Sequence, residues 1–334
     1  MTNFAKRRTL REVADAAGVS EMTVSRVLRG NGVVSNRTRD HVLAVVDKLG
    51  YVQNRLAGSL AAARSNQVAV VIPSLVNNVF TEVTSGITSE LEKAGYNAVI
   101  GVSDYDLEKE EELIYSMMSW RPSGIIVPNT VHTEKATNIL KNAGVPVVET
   151  MNLTDTPIDI VVGLDQRMAA RALAQYVLSK GYRRFAAVGW TDQDHGAAMR
   201  FSEIEAQVNE AGFEIFSPAL FDRPPNFVRG KAGLAQVMEM RPDIDAVFFS
   251  NDTAATGGII HCLEAGVSIP DDLAIAGFSG LETGQHMPKR LCTIRTRRFE
   301  IGRLAAKNVL NRLAGVAGPN AFNTGFELLE GNTV

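Results

Sequence analysis

Residues 20–29, SEMTVSRVLR, carry the first recognisable chemistry in the chain. Val24, Val27 and Leu28 fall at helical spacing as one apolar stripe, leaving Glu21, Met22, Thr23, Ser25 and Arg26 on the opposite side. A carboxylate, two hydroxyls and a guanidinium on one short face can meet base edges and phosphates, but they form no nucleophile–base pair. Catalytic chemistry is no easier to find elsewhere. No GxxxxGK[ST] or GxGxxG phosphate cradle follows a first strand. His41, His132, His195, His261 and His286 lack metal-ligand spacing, and Cys262 and Cys292 are too few and too far apart for a zinc cluster. The expectation is a binding protein with no catalytic residue, no metal and no cofactor.

The elements that must position this face can be read on both sides of it. Leu10, Val13, Ala14 and Ala17 give a preceding helix its apolar stripe. Gly18 stands where a helix closes in the left-handed region, Val19 turns inward, and Ser20 is placed to cap the next helix. Such a helical pair, polar on the outer face of its second helix, suits the major groove of DNA. Ser35 caps a third helix, buried through Val42, Leu43, Val45, Val46 and Leu49 and stopped by Gly50. Three helices in about fifty residues make a core that can just fold alone. Residues 51–60, YVQNRLAGSL, are too short for a stable isolated helix, and Gly58 costs roughly 1 kcal/mol against Ala. They read either as a hinge that orders only when pinned or as plain linker.

Charge separates this head from the rest. Residues 1–64 hold eleven Lys and Arg against five Asp and Glu, a net of +6; the chain as a whole is −3, so the remaining 270 residues carry −9. Only the head is suited to phosphates. From Gln67 onward, runs that are apolar throughout recur at 68–72, 98–102, 124–127, 145–148 and 160–163, then at 185–188, 246–249 and 274–278. Unalternating runs fit strands buried on both faces of a parallel sheet, and the stretches between them, such as 81–94 and 168–180, carry helical periodicity. Repeated β-α-β over about 270 residues predicts two doubly wound lobes with a ligand cleft between them. Two Cys and no signal peptide point to the cytoplasm, and no apolar run approaches the ~20 residues needed to span a membrane.

Over nearly its full length the chain resembles the lactose-repressor (LacI/GalR) family of bacterial transcription regulators. The resemblance rests on LxxVAxxAGVSxxTVSRVL at 10–28, on the hinge residues Tyr51, Asn54, Arg55, Leu56, Ala57 and Leu60, and on GVPVV at 144–148, FSND at 249–252 and AGF at 276–278. EMTVSR at 21–26, IPSLVNNVF at 72–80 and MSW at 118–120 look most similar to the gluconate-utilisation repressors. It implies a helix-turn-helix domain over 1–50, a hinge helix or linker over 51–66, and an effector-binding and dimerisation domain over 67–334. Lobe 1 would take about 67–162 plus 297–321, and lobe 2 about 163–294 plus 322–334.

By position, Glu21, Met22 and Arg26 match the family's base-reading face. Arg26 can donate a fork to guanine, Glu21 can accept from cytosine, and Met22 can pack on a thymine methyl. Ser20, Thr23, Ser25 and Arg29 would sit on phosphates, although Thr23 or Ser25 could equally serve only the backbone. Leu60 matches the hinge leucine that wedges a minor-groove step, with Ala57 beside it and Asn54 a turn earlier. The matching effector contacts are Asn77, Phe80, Glu149, Met151, Arg200, Asn251, Ser279 and Arg298. Ser279-Gly280 replaces an Asp usual in neutral-sugar regulators and Arg298 an aromatic, both in favour of an anion. Arg298 could instead be a surface or dimer-face residue, and Glu149 would repel an anion unless paired. The implied function is a cytoplasmic repressor of sugar-acid catabolism genes, bound as a homodimer to palindromic double-stranded operator DNA and released by a sugar-acid effector, without membrane association. A co-repressor response, a neutral or phosphorylated sugar, and a bare solute receptor or sugar-modifying enzyme on the same scaffold are the competing readings.

Overall fold

The structure, a computed structural model, describes residues 8–30, 34–52, 65–189, 194–217 and 226–334. Contacts divide the chain into two units, Met1–Ser65 and Asn66–Val334.

The first unit holds α1 (Leu10–Ala17), α2 (Glu21–Arg29) and α3 (Asn36–Leu49). Its core is Val13, Ala14, Ala17, Val24, Val27 and Val42, with Leu10, Val19, Leu28, Val45, Val46 and Leu49 packed around it. Local sequence sets each boundary. Thr9 and Glu12 form a capping box, and Ser20 and Ser35 accept from the backbone N–H groups of Thr23 and Thr38. Gly18 closes α1 at φ 64°, where an L side chain would be strained. Leu43, expected in the buried stripe of α3, is exposed.

The second unit is built on two all-parallel sheets. Its strands are β1 (Gln67–Ile72), β2 (Asn97–Val102), β3 (Gly124–Pro128), β4 (Val147–Asn152), β5 (Ile160–Leu164), β6 (Phe185–Val188), β7 (Ile215–Phe216), β8 (Ala246–Phe249), β9 (Ala274–Ala276), β10 (Thr293–Thr296), β11 (Ala321–Asn323) and β12 (Phe326–Leu329). The helices between them are α4 (Asn78–Lys93), α5 (Leu107–Ser119), α6 (Glu134–Lys141), α7 (Gln166–Ser179), α8 (His195–Glu210), α9 (Phe227–Met240), α10 (Asp252–Ala265), α11 (Glu282–Gln285) and α12 (Arg298–Leu313). One sheet runs β2-β1-β3-β4-β5-β11 and the other β7-β6-β8-β9, while β10 and β12 pair antiparallel. Both parallel sheets reverse direction of winding beside their first strand, at β1/β3 and at β6/β8. Doubly wound sheets bind ligands outside the strand C-termini at such switch points.

Strand alternation explains the two faces of the first sheet. Val68, Val70, Ile72 and Val148 belong to the core shared with α4 and α12; Ala69, Val71 and Val147 pack with residues of α5 and α6. Gly257 and Gly258 pack closely rather than cradle phosphate: a Cβ on Gly257 would lie 2.1 Å from the Phe227 carbonyl oxygen, and one on Gly258 2.4 Å from the Phe249 ring. Among the described residues no helix is long and apolar enough to cross a membrane.

Candidate ligand cleft and nucleic-acid interface

On α2, Glu21, Met22 and Arg26 are exposed, Met22 by 64%, while Val24 and Val27 are buried. An unbranched thioether this open has no packing role in its own unit. Ser20 Oγ accepts from Thr23 N at 3.2 Å and lies 2.9 Å from Thr23 Oγ1, so both hydroxyls already serve the helix cap. Ser25 is half-buried. Asn54, Ala57 and Leu60 lie outside the described residues, as does the side chain of Arg29.

In the second unit, residues at or beyond the C-terminal ends of strands converge on one cleft. From the six-stranded sheet come Asn77 and Phe80 after β1, Asn129 after β3, and Met151 and Asn152 ending β4. From the four-stranded sheet come Gly189 and Asp194 after β6, Ser250 and Asn251 after β8, and Phe278 and Ser279 after β9. Gln166 at the start of α7, Arg200 on α8 and Thr296 ending β10 complete the polar lining. The empty space between these residues is about 610 Å³ with the open solvent at its mouth included. Three non-glycine residues of this lining have left-handed backbones: Asn129 (φ 58°), Met151 (φ 79°) and Ser279 (φ 129°). Strain of this kind gathers at ligand sites.

Arg200 dominates the electrostatics. Its Nη1 donates to Gln166 Oε1 at 3.1 Å and its Nη2 to the Ser250 carbonyl at 3.3 Å, while Nε is buried without a partner. Its guanidinium lies 4.4 Å from the centre of the Phe278 ring. Burial pushes its pKa down from the ordinary range, against the opposing charge of Asp194. Among the described residues no carboxylate lies within ion-pair distance of it. A desolvated cation supplied with only neutral acceptors is a seat for an anion. Gln166 extends the network, donating to Asn152 Oδ1 at 3.0 Å, and Asn152 donates to Asn129 Oδ1 at 3.2 Å. Asn77 caps α4 through Oδ1 and donates to the Tyr105 hydroxyl at 2.9 Å. Asn251 likewise caps α10, accepting from Ala254 N at 2.8 Å.

Of the eight residues matched by position, Asn77, Phe80, Met151, Arg200, Asn251 and Ser279 line the cleft; Glu149 and Arg298 do not. Glu149 shares the sheet face of Val147 and is buried against α5. Its Oε2 accepts from Ile158 N at 2.6 Å, and its Oε1 lies 3.7 Å from His132 Nε2. His132 Nδ1 lies 2.5 Å from Glu110 Oε1. Burial opposes the charge on His132, but the two carboxylates outweigh it and push the imidazole up to about 9. Glu149 is thus paired with His132 and the Ile158 backbone and is not part of the cleft lining. Arg298 is buried beneath the cleft rather than on a free surface, bonded to Ser279, Thr296, Gly280 and Glu82. Asn129, Asn152, Gln166, Asp194, Ser250, Phe278 and Thr296 were not anticipated; each stands at or just beyond a strand end or at a helix start, which is the signal that could have found them.

A helix-turn-helix unit and a doubly wound unit with a polar cleft in one chain define a ligand-responsive class of DNA-binding transcriptional regulators. The model for bacterial regulatory proteins of the lacI family matches residues 9–54, and that for periplasmic binding proteins and the sugar binding domain of the LacI family matches residues 65–327. The chain belongs to the LacI family. It is 35% identical to the HTH-type transcriptional regulator GntR of Escherichia coli K12, over 98% of this chain and 99% of that one. It is 36% identical to the GntR regulator of Pseudomonas aeruginosa, over 98% and 96%. A crystal structure of a LacI family transcriptional regulator from Silicibacter pomeroyi superposes with a TM-score of 0.93 at 42% identity, covering 98% of this chain and 99% of that one.

Proposed function

We propose that the protein is a cytoplasmic repressor of sugar-acid catabolism genes, binding a near-palindromic operator as a homodimer and leaving it when a gluconate-type sugar acid fills the cleft. The domain limits are those read from the sequence: 1–50 for DNA, 51–66 for the hinge with Asn54, Ala57 and Leu60, and 67–334 for effector and dimer. One recognition helix spans too few base pairs for genomic specificity, so two copies must read the operator together. Glu21, Met22 and Arg26 read bases, and Ser20, Thr23, Ser25 and Arg29 face the phosphates, Ser20 and Thr23 from within the helix cap.

The observation that carries the effector class is Arg200, a buried guanidinium whose described hydrogen-bond and ring partners are a side-chain amide oxygen, a carbonyl and an aromatic face, with Asp194 acting on it only from beyond ion-pair distance. A ligand carboxylate completes it. Asn77, Asn129, Asn152 and Asn251 supply the mixed donors and acceptors that hydroxyls require, and Asp194 accepts further hydroxyl protons. One cation against one acid in the lining favours a monoanionic polyol over a phosphorylated sugar. A thermal-shift panel of aldonic, ketoaldonic, neutral and phosphorylated sugars tests this directly, because binding at ~100 times Kd adds about 2.7 kcal/mol to stability. Aldonates should raise the midpoint in wild type and not in Arg200→Met. Stabilisation by neutral or phosphorylated sugars alone would overturn the sugar-acid reading.

A further inference from the structure

Arg298 joins parts of the sensor that belong to different sheets. Its Nη1 donates to the Ser279 carbonyl and to Thr296 Oγ1 at 3.0 Å. Its Nη2 donates to Glu82 Oε1 at 2.7 Å and to the Gly280 carbonyl at 3.4 Å. Glu82 stands on α4, which packs with α12 on the six-stranded sheet, whereas Ser279 and Gly280 follow β9 of the four-stranded sheet. On the lobe 1 side the mounting is rigid. A Cβ on Gly302 of α12 would meet the Val83 carbonyl oxygen at 1.9 Å, and one on Gly86 of α4 would meet that of Phe299 at 2.1 Å, so the two helix backbones touch.

The turn that Arg298 holds carries one strained backbone, that of Ser279, followed by a glycine that adopts the left-handed region freely. Ser279 has φ 129° and Gly280 φ 68°. From the lobe 2 side, Asp252 at the start of α10 accepts from Leu281 N and from the Thr293 hydroxyl, both at 2.6 Å. A cation carried by lobe 1 and an anion carried by lobe 2 therefore hold adjoining residues, Arg298 at 279, 280 and 296 and Asp252 at 281 and 293, around the turn that presents Ser279 to the cleft. The partners also differ in exposure: the Arg298 side chain is 4% exposed and that of Glu82 is 45%. Glu82 therefore steers the guanidinium from the solvent side, through the same Nη2 that donates to the Gly280 carbonyl.

We propose that Arg298 is an interlobe latch and positioning residue: steered within lobe 1 by Glu82 of α4, it grips the Ser279 turn, and hence lobe 2, through the Ser279 and Gly280 carbonyls. The latch acts in the ligand-free protein; its coupling to a sugar acid rests on the function proposed above. Dyes attached at Asn138→Cys on α6 and Gln236→Cys on α9, both exposed, report the distance between lobes, since Cys262 and Cys292 are buried. The labelled full chain is diluted into excess unlabelled protein so that one chain reports. Glu82→Ala should broaden the ligand-free distance distribution roughly twofold. Glu82→Gln, which keeps an acceptor oxygen without charge, should fall between Glu82→Ala and wild type. Melting midpoints should match wild type. An unchanged distribution in Glu82→Ala overturns the latch, as does a lowered midpoint with unchanged distances, which would make the pair a local strut. D-gluconate is the ligand probe. If it moves no variant while Glu82→Ala is already broadened without it, the sugar-acid reading fails and the latch stands.

Discussion

Two guanidinia show how burial decides what an arginine can do. Arg200 is buried in the lining of the cleft of its own unit; Arg26 is exposed on α2. A guanidinium fork is worth about 1–3 kcal/mol of base discrimination, so Arg26→Ala should lose that much affinity for operator and little for random DNA. Equal losses on both, measured by competition titration, would remove Arg26 from the base-reading face. The chemistry of these side chains was legible from residue type alone. Their sidedness was legible on helices, where Val24 and Val27 fix the opposite face, and less so on β4. There the apolar run stops at Val148, but the strand continues to Asn152, with the left-handed Met151 breaking the pleat. Glu149 consequently faces α5 and meets His132 instead of a ligand. That pairing has a pH signature. The fold raises the His132 pKa from 6.5 to about 9, so its stabilisation is complete below 6.5 and is lost as pH rises through about 9. Urea unfolding across this window should show wild type losing stability that His132→Gln, lacking the proton, does not lose. Parallel pH profiles would show that the imidazole is neutral in the folded protein.

At the scale of elements, boundaries written in local chemistry are the ones the sequence displays. Gly18 and Gly50 close helices in the left-handed region, and Ser20 and Ser35 open them, because each signal needs only a few neighbouring residues. Elements held by distant partners are silent. Strand β11 is only Ala321–Asn323, exposed at both ends, and exists because Phe322 pairs with Val162 of β5. The contact of α4 with α12 is equally silent: Gly86 and Gly302 sit inside helices, where glycine looks like a defect until the neighbouring backbone is seen. Gly302→Ala must push aside the Val83 carbonyl, and overpacking of this kind costs about 1–3 kcal/mol. The sensor's thermal midpoint should fall by roughly 2–4 °C per kcal/mol. Gly318→Ala, with nothing within 4 Å of the added carbon, should leave it unchanged. A tolerated Gly302→Ala would mean that the two helices separate easily, and the rigid mounting of Arg298 would be lost with it.

For the whole molecule, the +6 head and −9 body announce a division of labour that the two units repeat in structure. What the sequence leaves open is the sign of the communication between them. The cleft draws on both sheets at their switch points, so a ligand that changes the spacing of the lobes changes the whole sensor rather than one loop. Whatever the route to the DNA-binding unit, equilibrium constrains its magnitude. If an inducing sugar acid weakens operator binding by some factor, operator must weaken sugar-acid binding by the same factor, and such couplings are typically about 5–150-fold. Titrating operator at zero and saturating D-gluconate gives one arm of the cycle, and titrating D-gluconate at zero and saturating operator gives the other. Equal factors, each weakening, are expected of a repressor released by its ligand. A tightening in both arms would reverse the switch into co-repression while leaving the cleft assignment intact. No coupling in either arm, despite gluconate binding, would disconnect the cleft from the DNA-binding function.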